Sequence, residues 1–245
     1  MEIVRFHYER ITSTNDFAKE LLLHHNFVVV TADYQTQGRG RNKNIWEGSF
    51  GLNVYFSFGI KYQNLRQVEE VAYLQGLGAL ATIYSLREIA SDISFVLKYP
   101  NDVYAKCSDC VFRKISGILV EHQFLGEFCS SSVIGIGINV KQTKFPDDLQ
   151  NRATSLKLLG KEASPEQVTE ILIAQIQKYF QLYPHEIKSL WESELKLAGK
   201  KVKVISTNQT FIAEGLDSLG RLVGKTSKNE VVVVTDGDSV TYELG

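Results

Sequence analysis

The chain reads as an α+β protein, a mixed β-sheet with flanking helices followed by a small β-barrel. Three observations predict this. β-Branched and alternating segments at 27–32 and 52–58 precede a long helical stripe, so strands and a crossover helix share one domain. Further strands around 117–121 and 133–140 are followed by two more helical segments. From about residue 200 the pattern changes to short strands at 201–206, 211–216, 221–225, 230–234 and 240–244, with turn residues such as Asp217-Ser218-Leu219-Gly220 and Asp236-Gly237 between them. The chain therefore divides into a main domain, 1–198, and a barrel, 199–245. A unit of roughly 45 residues buries little apolar surface alone, so the barrel is expected to pack on the main domain.

Taken in order, Ser13-Thr14-Asn15-Asp16 is an S-x-x-D box suited to a helix N-cap, and Phe17, Leu21 and Leu22 follow at helical spacing to about His25. Phe27-Val28-Val29-Val30-Thr31-Ala32 predicts a buried strand leading through Asp33-Tyr34-Gln35 into Gly38-Arg39-Gly40-Arg41. There two glycines free the backbone to fold closely around a ligand, and Arg39, Arg41 and Lys43 gather positive charge. Leu52, Val54, Phe56 and Phe58 then alternate with Asn53, Tyr55 and Ser57, a strand with two distinct faces. Leu65, Val68, Val71, Ala72, Ala79, Ile83 and Leu86 predict one long helix across 65–90, before a strand at 94–98. Ser164-Pro165-Glu166-Gln167 supplies an N-cap, a proline at the first helical position and a capping-box glutamine; Gly199 is expected to close the second helix.

Charge and composition exclude several classes. The 27 Lys+Arg balance 28 Asp+Glu to a net charge of −1, so the basic loop faces a small anion and no general field holds DNA. Residues 1–5 lack a signal-peptide run, and the longest uncharged apolar stretch, 130–140, is too short to span a bilayer. A cytoplasmic protein with no membrane association is expected. Cys107 and Cys110 form a C-x-x-C pair without further metal ligands in obvious spacing; with Cys129 they are expected to be reduced thiols with no assigned function. No G-x-x-x-x-G-K-[ST] occurs, which excludes a P-loop ATPase.

Three segments accompany the basic loop. Lys98-Tyr99-Pro100-Asn101-Asp102 offers a cation, an amide and a carboxylate on a proline turn. Arg113 and Lys114 precede a strand in which Gly117 presents no side chain to block a ligand. Gly135 and Gly137 lie on one face of Ile134-Gly135-Ile136-Gly137-Ile138-Asn139, which weakens the strand unless a ligand or a helix lies flat against it.

In this order the segments resemble the motifs of the biotin protein ligases: S-T-N at 13–15, G-R-G-R at 38–41 with Trp46 downstream, K-Y-P-N-D at 98–102, K-x-x-G-I-L-x-E at 114–121, G-x-G-I-N at 135–139 and A-T-S-L at 153–156. The resemblance covers almost the whole chain. It implies a catalytic fold like that of class II aminoacyl-tRNA synthetases and biotin ligases, with an SH3-like C-terminal barrel. The implied reaction has two steps. The biotin carboxylate attacks the α-phosphate of ATP to give biotinyl-5′-adenylate and pyrophosphate; a lysine of a biotin carboxyl carrier protein then displaces AMP. Such chemistry needs cations to stabilise crowded negative charge.

By that resemblance Lys114 and Arg41 are catalytic. Ser13, Thr14, Gln35, Gly38, Arg39, Gly40, Arg41, Lys114, Gly117, Gly135 and Gly137 bind biotin, and Arg41, Trp46, Lys98, Asn101, Lys114 and Asn139 lie toward ATP. A Mg²⁺ should accompany the nucleotide, with Asp102 and Asn139 as candidate ligands. The basic loop is expected to order on the ligand and shield the adenylate from water. The chain departs from the family at Asn42-Lys43-Asn44, where more basic residues are common, and in an insertion between Tyr104 and Arg113. Because S-T-N begins at residue 13, a monofunctional ligase without a DNA-binding domain is expected; a homodimer is compatible with the sequence. The alternatives are a lipoate or octanoate ligase of related fold, and a non-catalytic biotin or nucleotide sensor.

Overall fold

The computed structural model describes residues 2–41, 44–235 and 240–244. The expected turn at Asp236-Gly237, and Asn42 and Lys43 in the basic loop, lie outside the described residues. A seven-stranded sheet forms the main domain in the order β1-β2-β3-β7-β6-β5-β4. Its strands are β1 (Val4–Ile11), β2 (Phe27–Gln35), β3 (Asn53–Arg66), β4 (Phe95–Lys98), β5 (Asp102–Lys106), β6 (Phe112–Leu125) and β7 (Phe128–Asn139). Only the β1–β2 pair is parallel.

The alternation along β2 and β7 separates two cores. Val29, Phe56, Phe58, Ile134, Ile136 and Ile138 face the main core with α3 (Leu74–Ile89), α4 (Pro165–Tyr179) and α5 (Pro184–Leu195). Val28, Val30 and Val133 face Ala18 and Leu22 at the helix α1 (Thr14–Leu21) instead. The glycines of β6 and β7 fall on the α1 side: Gly117 pairs with Gly137 and Leu119 with Gly135. Tyr55 and Ser57 of β3 stand opposite the same two glycines. One face of the sheet thus carries a strip with almost no side chains, bordered by α1.

Several boundaries differ from the sequence reading. The helix expected from residue 65 begins later, because β3 runs on to Arg66 and a capping box at Gln67 and Glu70 starts the short α2 (Val68–Val71). Strand β1, at the sheet edge, has no counterpart in the sequence reading, although Val4, Phe6 and Tyr8 alternate with Arg5, His7 and Glu9. The S-x-x-D box does not cap α1, since Ser13 makes no side-chain cap bond and Asp16 binds Arg39 instead. At α4 the expected cap forms: Ser164 Oγ accepts from the Gln167 N–H at 3.1 Å, with Pro165 at the first helical position. α5 ends at Lys196, in the left-handed conformation (φ 50°), so Gly199 is not its cap; Gly199 (φ 81°) donates to Ala213 O at the start of the barrel.

The C-terminal unit is a five-stranded antiparallel sheet in the order β11-β10-β9-β8-β12, from β8 (Lys201–Val204) through β9 (Thr210–Leu216), β10 (Leu222–Lys225) and β11 (Val231–Val233) to β12 (Val240–Thr241). Among the described residues its outer strands do not join. It packs on the main domain, as its size requires. Val202, Phe211 and Leu222 belong to the main core cluster, and Tyr99 ties the two together. The Tyr99 hydroxyl donates to Gly220 O and accepts from the Leu222 N–H, both at 3.1 Å, while the Tyr99 N–H donates to Tyr242 Oη at 2.6 Å.

Candidate active site

The glycine strip forms the floor of an open cleft of about 700 Å³. The sequence segments singled out above, distant along the chain, converge there; of the expected site residues only Gly38 is not part of the lining. Gly38 shapes the loop instead. Its carbonyl accepts from the Trp46 N–H at 3.0 Å, and a Cβ on it would stand 2.6 Å from Trp46 O.

At one end lies a buried polar cluster. Gln35 Oε1 accepts from both the N–H (2.7 Å) and the hydroxyl (3.0 Å) of Thr14. Ser57 Oγ donates to Asn15 Oδ1 at 2.6 Å and lies 2.7 Å from Thr14 Oγ1. Ser13, Thr14, Asn15 and Ser57 are all buried, and the hydrogen bonds among Thr14, Asn15, Gln35 and Ser57 fix their side chains to one another. Asn15 and Ser57 were not among the expected site residues, although a serine inside the apolar segment Val54–Phe58 was a usable signal. Asn15 also explains Gly135: a Cβ there would meet Asn15 Oδ1 at 2.3 Å. The missing side chain at 135 makes room for an asparagine of α1.

At the other end stands Lys114. Its Nζ lies 2.6 Å from Asp102 Oδ1 and 5.6 Å from the centre of the Trp46 ring. Its backbone is pinned on both sides, the N–H to Arg152 O (2.8 Å) and the carbonyl from the Thr154 N–H (2.9 Å). Asn139 and Asn101 stitch chain segments to the sheet: Asn139 Nδ2 donates to Thr154 O at 3.0 Å and Asn101 Nδ2 to Ile118 O at 2.9 Å. Both are buried. Lys98 Nζ sits 5.2 Å from the Tyr104 ring centre, and burial pushes the Tyr104 hydroxyl up to about 12. Arg41 lines the cleft, near enough to Tyr99 to act on its hydroxyl electrostatically.

Two contacts define the loop, of which the first was not legible in the sequence. Arg39 does not present a free guanidinium to the cleft: both its terminal nitrogens bind Asp16 at 2.6 Å, with Glu121 Oε2 3.6 Å away. The Arg39 hydrogen bond holds the Asp16 carboxyl below its ordinary value against the opposing effect of burial. Glu121 in turn accepts from Asn15 Nδ2 at 2.6 Å, so loop, helix and polar cluster are one network. Trp46, meanwhile, sits against the glycines. A Cβ at Gly137 would stand 2.3 Å from the indole and one at Gly117 3.0 Å. Among the described residues the buried indole N–H has no hydrogen-bond partner, so this seat leaves a polar group unsatisfied.

Residues 7–139 match the model of the biotin/lipoate A/B protein ligase family, and the chain belongs to it. The bifunctional ligase/repressor BirA of Bacillus subtilis is 31% identical over 233 residues, covering 91% of this chain and 69% of its own length. The enzyme of the same name from Escherichia coli is 29% identical over 78% of this chain and 60% of its own. Among solved structures, the biotin protein ligase of Aquifex aeolicus in complex with biotin and ATP matches with a TM-score of 0.71 at 28% identity, covering 98% of this chain and 99% of the other.

Proposed function

We propose that this chain is an ATP-dependent biotin–protein ligase, which joins biotin to AMP and passes it to one lysine of a biotin carboxyl carrier protein. The observation that carries the reading is the polarity of the cleft: a buried array of hydroxyls and amides at one end, a bare glycine floor, and a lysine at the other. That arrangement suits a ligand with a polar head, an apolar stem and a terminal carboxylate.

In this reading Ser13, Thr14 and Gln35 meet the ureido head, with Asn15 and Ser57 holding them in place. Gly117 and Gly137 leave the slot for the stem once Trp46 lifts from its seat; the unsatisfied indole N–H makes that seat easy to leave. Lys114 then meets the biotin carboxylate and the α-phosphate, and Arg41 covers the phosphate. Both counter the charge that builds as the carboxylate oxygen bonds to phosphorus and pyrophosphate departs. Asp102 keeps Lys114 oriented until an anion competes for it. Lys98, Asn101 and Asn139 face the nucleotide, the two asparagines chiefly by holding its walls. Arg39 acts on biotin through the loop it anchors.

No group of three or more His, Cys, Asp or Glu gathers among the described residues to cage a metal, and Asn139 donates to Thr154 O through Nδ2, which leaves its Oδ1 to accept. A Mg²⁺ would therefore be held mainly by the phosphates, with Asp102 and Asn139 as the candidate protein ligands, and would neutralise phosphate charge. Pyrophosphate–ATP exchange driven by biotin, measured beside lipoate and octanoate, tests the reading. Exchange with lipoate alone would overturn it, and binding without exchange would leave a sensor.

A further inference from the structure

The C-x-x-C pair has no part in the chemistry above, and its setting marks it out. Cys107 and Cys110 occupy the ends of one β-turn between β5 and β6, closed by the Cys110 N–H donating to Cys107 O at 2.9 Å. Such a turn keeps its first and fourth Cα atoms within about 7 Å, inside the span a disulfide bridges. Cys110 adopts a left-handed backbone (φ 62°), which costs a non-glycine residue energy and which an ordinary turn would assign to glycine or asparagine. The turn is exposed at Ser108, Asp109 and Cys110, with Cys107 half-buried.

Arg113 is clamped on the same turn. It binds Asp109 through both terminal nitrogens at 2.9 and 2.5 Å and also interacts with the Cys107 thiol. Arg113 also holds the segment behind the cleft: its Nε donates to Asn151 O at 3.3 Å, and the next residue is Lys114, bonded to Arg152 O. Leu149, Arg152 and Ala153 line the cleft beyond it. Turn, arginine and cleft wall are thus linked by consecutive bonds.

We propose that Cys107 and Cys110 form a redox-modifiable dithiol that a small-molecule disulfide of the glutathione class closes into a disulfide across the turn, shifting the cleft wall through Arg113. The Cys107 thiolate attacks one sulfur of the small disulfide and expels one thiol. Cys110 then attacks the Cys107 sulfur, expelling the second thiol and closing the ring. The protein loses two protons and two electrons, and the small disulfide becomes two thiols. An exposed disulfide of this kind is readily reversed by reductant.

The test is incubation of the whole chain with glutathione disulfide, followed by alkylation of free thiols and peptide mass analysis. The expected product is the 107–110 peptide lighter by two hydrogens and unalkylated. Cys129, buried with its thiol donating to Ser131 O, stays free. A stable glutathione adduct on either cysteine, or two alkylated thiols at every ratio, overturns the proposal. The link to the cleft rests on the biotin–ATP reading. Oxidation should raise the KM for ATP in pyrophosphate exchange by about threefold or more, reversibly with dithiothreitol. The Cys107→Ser/Cys110→Ser variant should keep normal exchange and ignore the oxidant. Disulfide formation with unchanged KM overturns the coupling; absence of exchange in the reduced protein indicts the ligase reading and leaves the mass result standing.

Discussion

The sharpest consequence of the structure concerns Asp16, a residue outside the cleft chemistry that holds the basic loop through Arg39. Replacing Asp16 with Asn removes the charge and one of two parallel hydrogen bonds, while one amide oxygen still accepts. Both side chains are 37% exposed, so solvent screening limits the pair to about 0.2–1 kcal/mol, and its bidentate geometry places it at the upper end. About 1 kcal/mol corresponds to roughly a fivefold change in the population of the anchored loop. If the anchored loop is the form that accepts biotin, the biotin KM rises by at most about fivefold with kcat unchanged. Trypsin should also cut more readily at Arg39 and Arg41, and Asp16→Glu should restore part of the loss.

Pyrophosphate exchange at varied biotin concentrations measures the first effect, and timed proteolysis the second. Unchanged KM and unchanged cleavage would refute the anchor; an equal fall in kcat would mean that Asp16 acts on the reaction itself. The pH dependence has a definite sign. Because the folded carboxyl sits below its ordinary 3.8, the anchor is fully present above that value and fades only as pH falls through the lowered one. Wild type and Asp16→Asn should therefore differ by a constant factor around neutrality and converge in acid.

Three other outcomes follow from the same geometry. Lys114→Ala should cost roughly 10²–10³ in adenylation, the scale of losing one preorganised electrostatic contact, and a loss below about threefold would remove it from the chemistry. Gly137→Ala puts a methyl group 2.3 Å from the Trp46 indole, so the indole must leave its seat; iodide quenching of tryptophan fluorescence should rise, with buried Trp191 as the constant background. Tyr99→Phe strips Gly220 O and the Leu222 N–H of their shared partner and should destabilise the chain by about 1–3 kcal/mol, seen as a lower thermal midpoint.

What the sequence made legible depended on how local the cause was. Ser164 and Pro165 cap α4 as read because capping is settled within one turn of helix. The S-x-x-D box at Ser13 misled for the opposite reason: an arginine 23 positions away claims Asp16, and no local rule reveals that competitor. Strand β1 was legible by its alternation of Val4, Phe6 and Tyr8 with Arg5, His7 and Glu9, the same signal that marks β3. The glycines show the same limit within the site itself. Sequence alone leaves a ligand and a packed neighbour as equal reasons for a bare strand face, and the fold assigns one reason to each position. Asn15 fills the space above Gly135 with satisfied hydrogen bonds, so that glycine serves the scaffold. Above Gly137 lies an indole whose buried N–H is unpaired among the described residues, a contact the chain has little to lose by breaking. A ligand that lies along the floor need only displace the second, so the two glycines should respond differently to substitution. Gly135→Ala should lower stability in the absence of any ligand, whereas Gly137→Ala should leave the thermal midpoint nearly unchanged and raise the biotin KM. Equal destabilisation by both would place Trp46, like Asn15, in the permanent core.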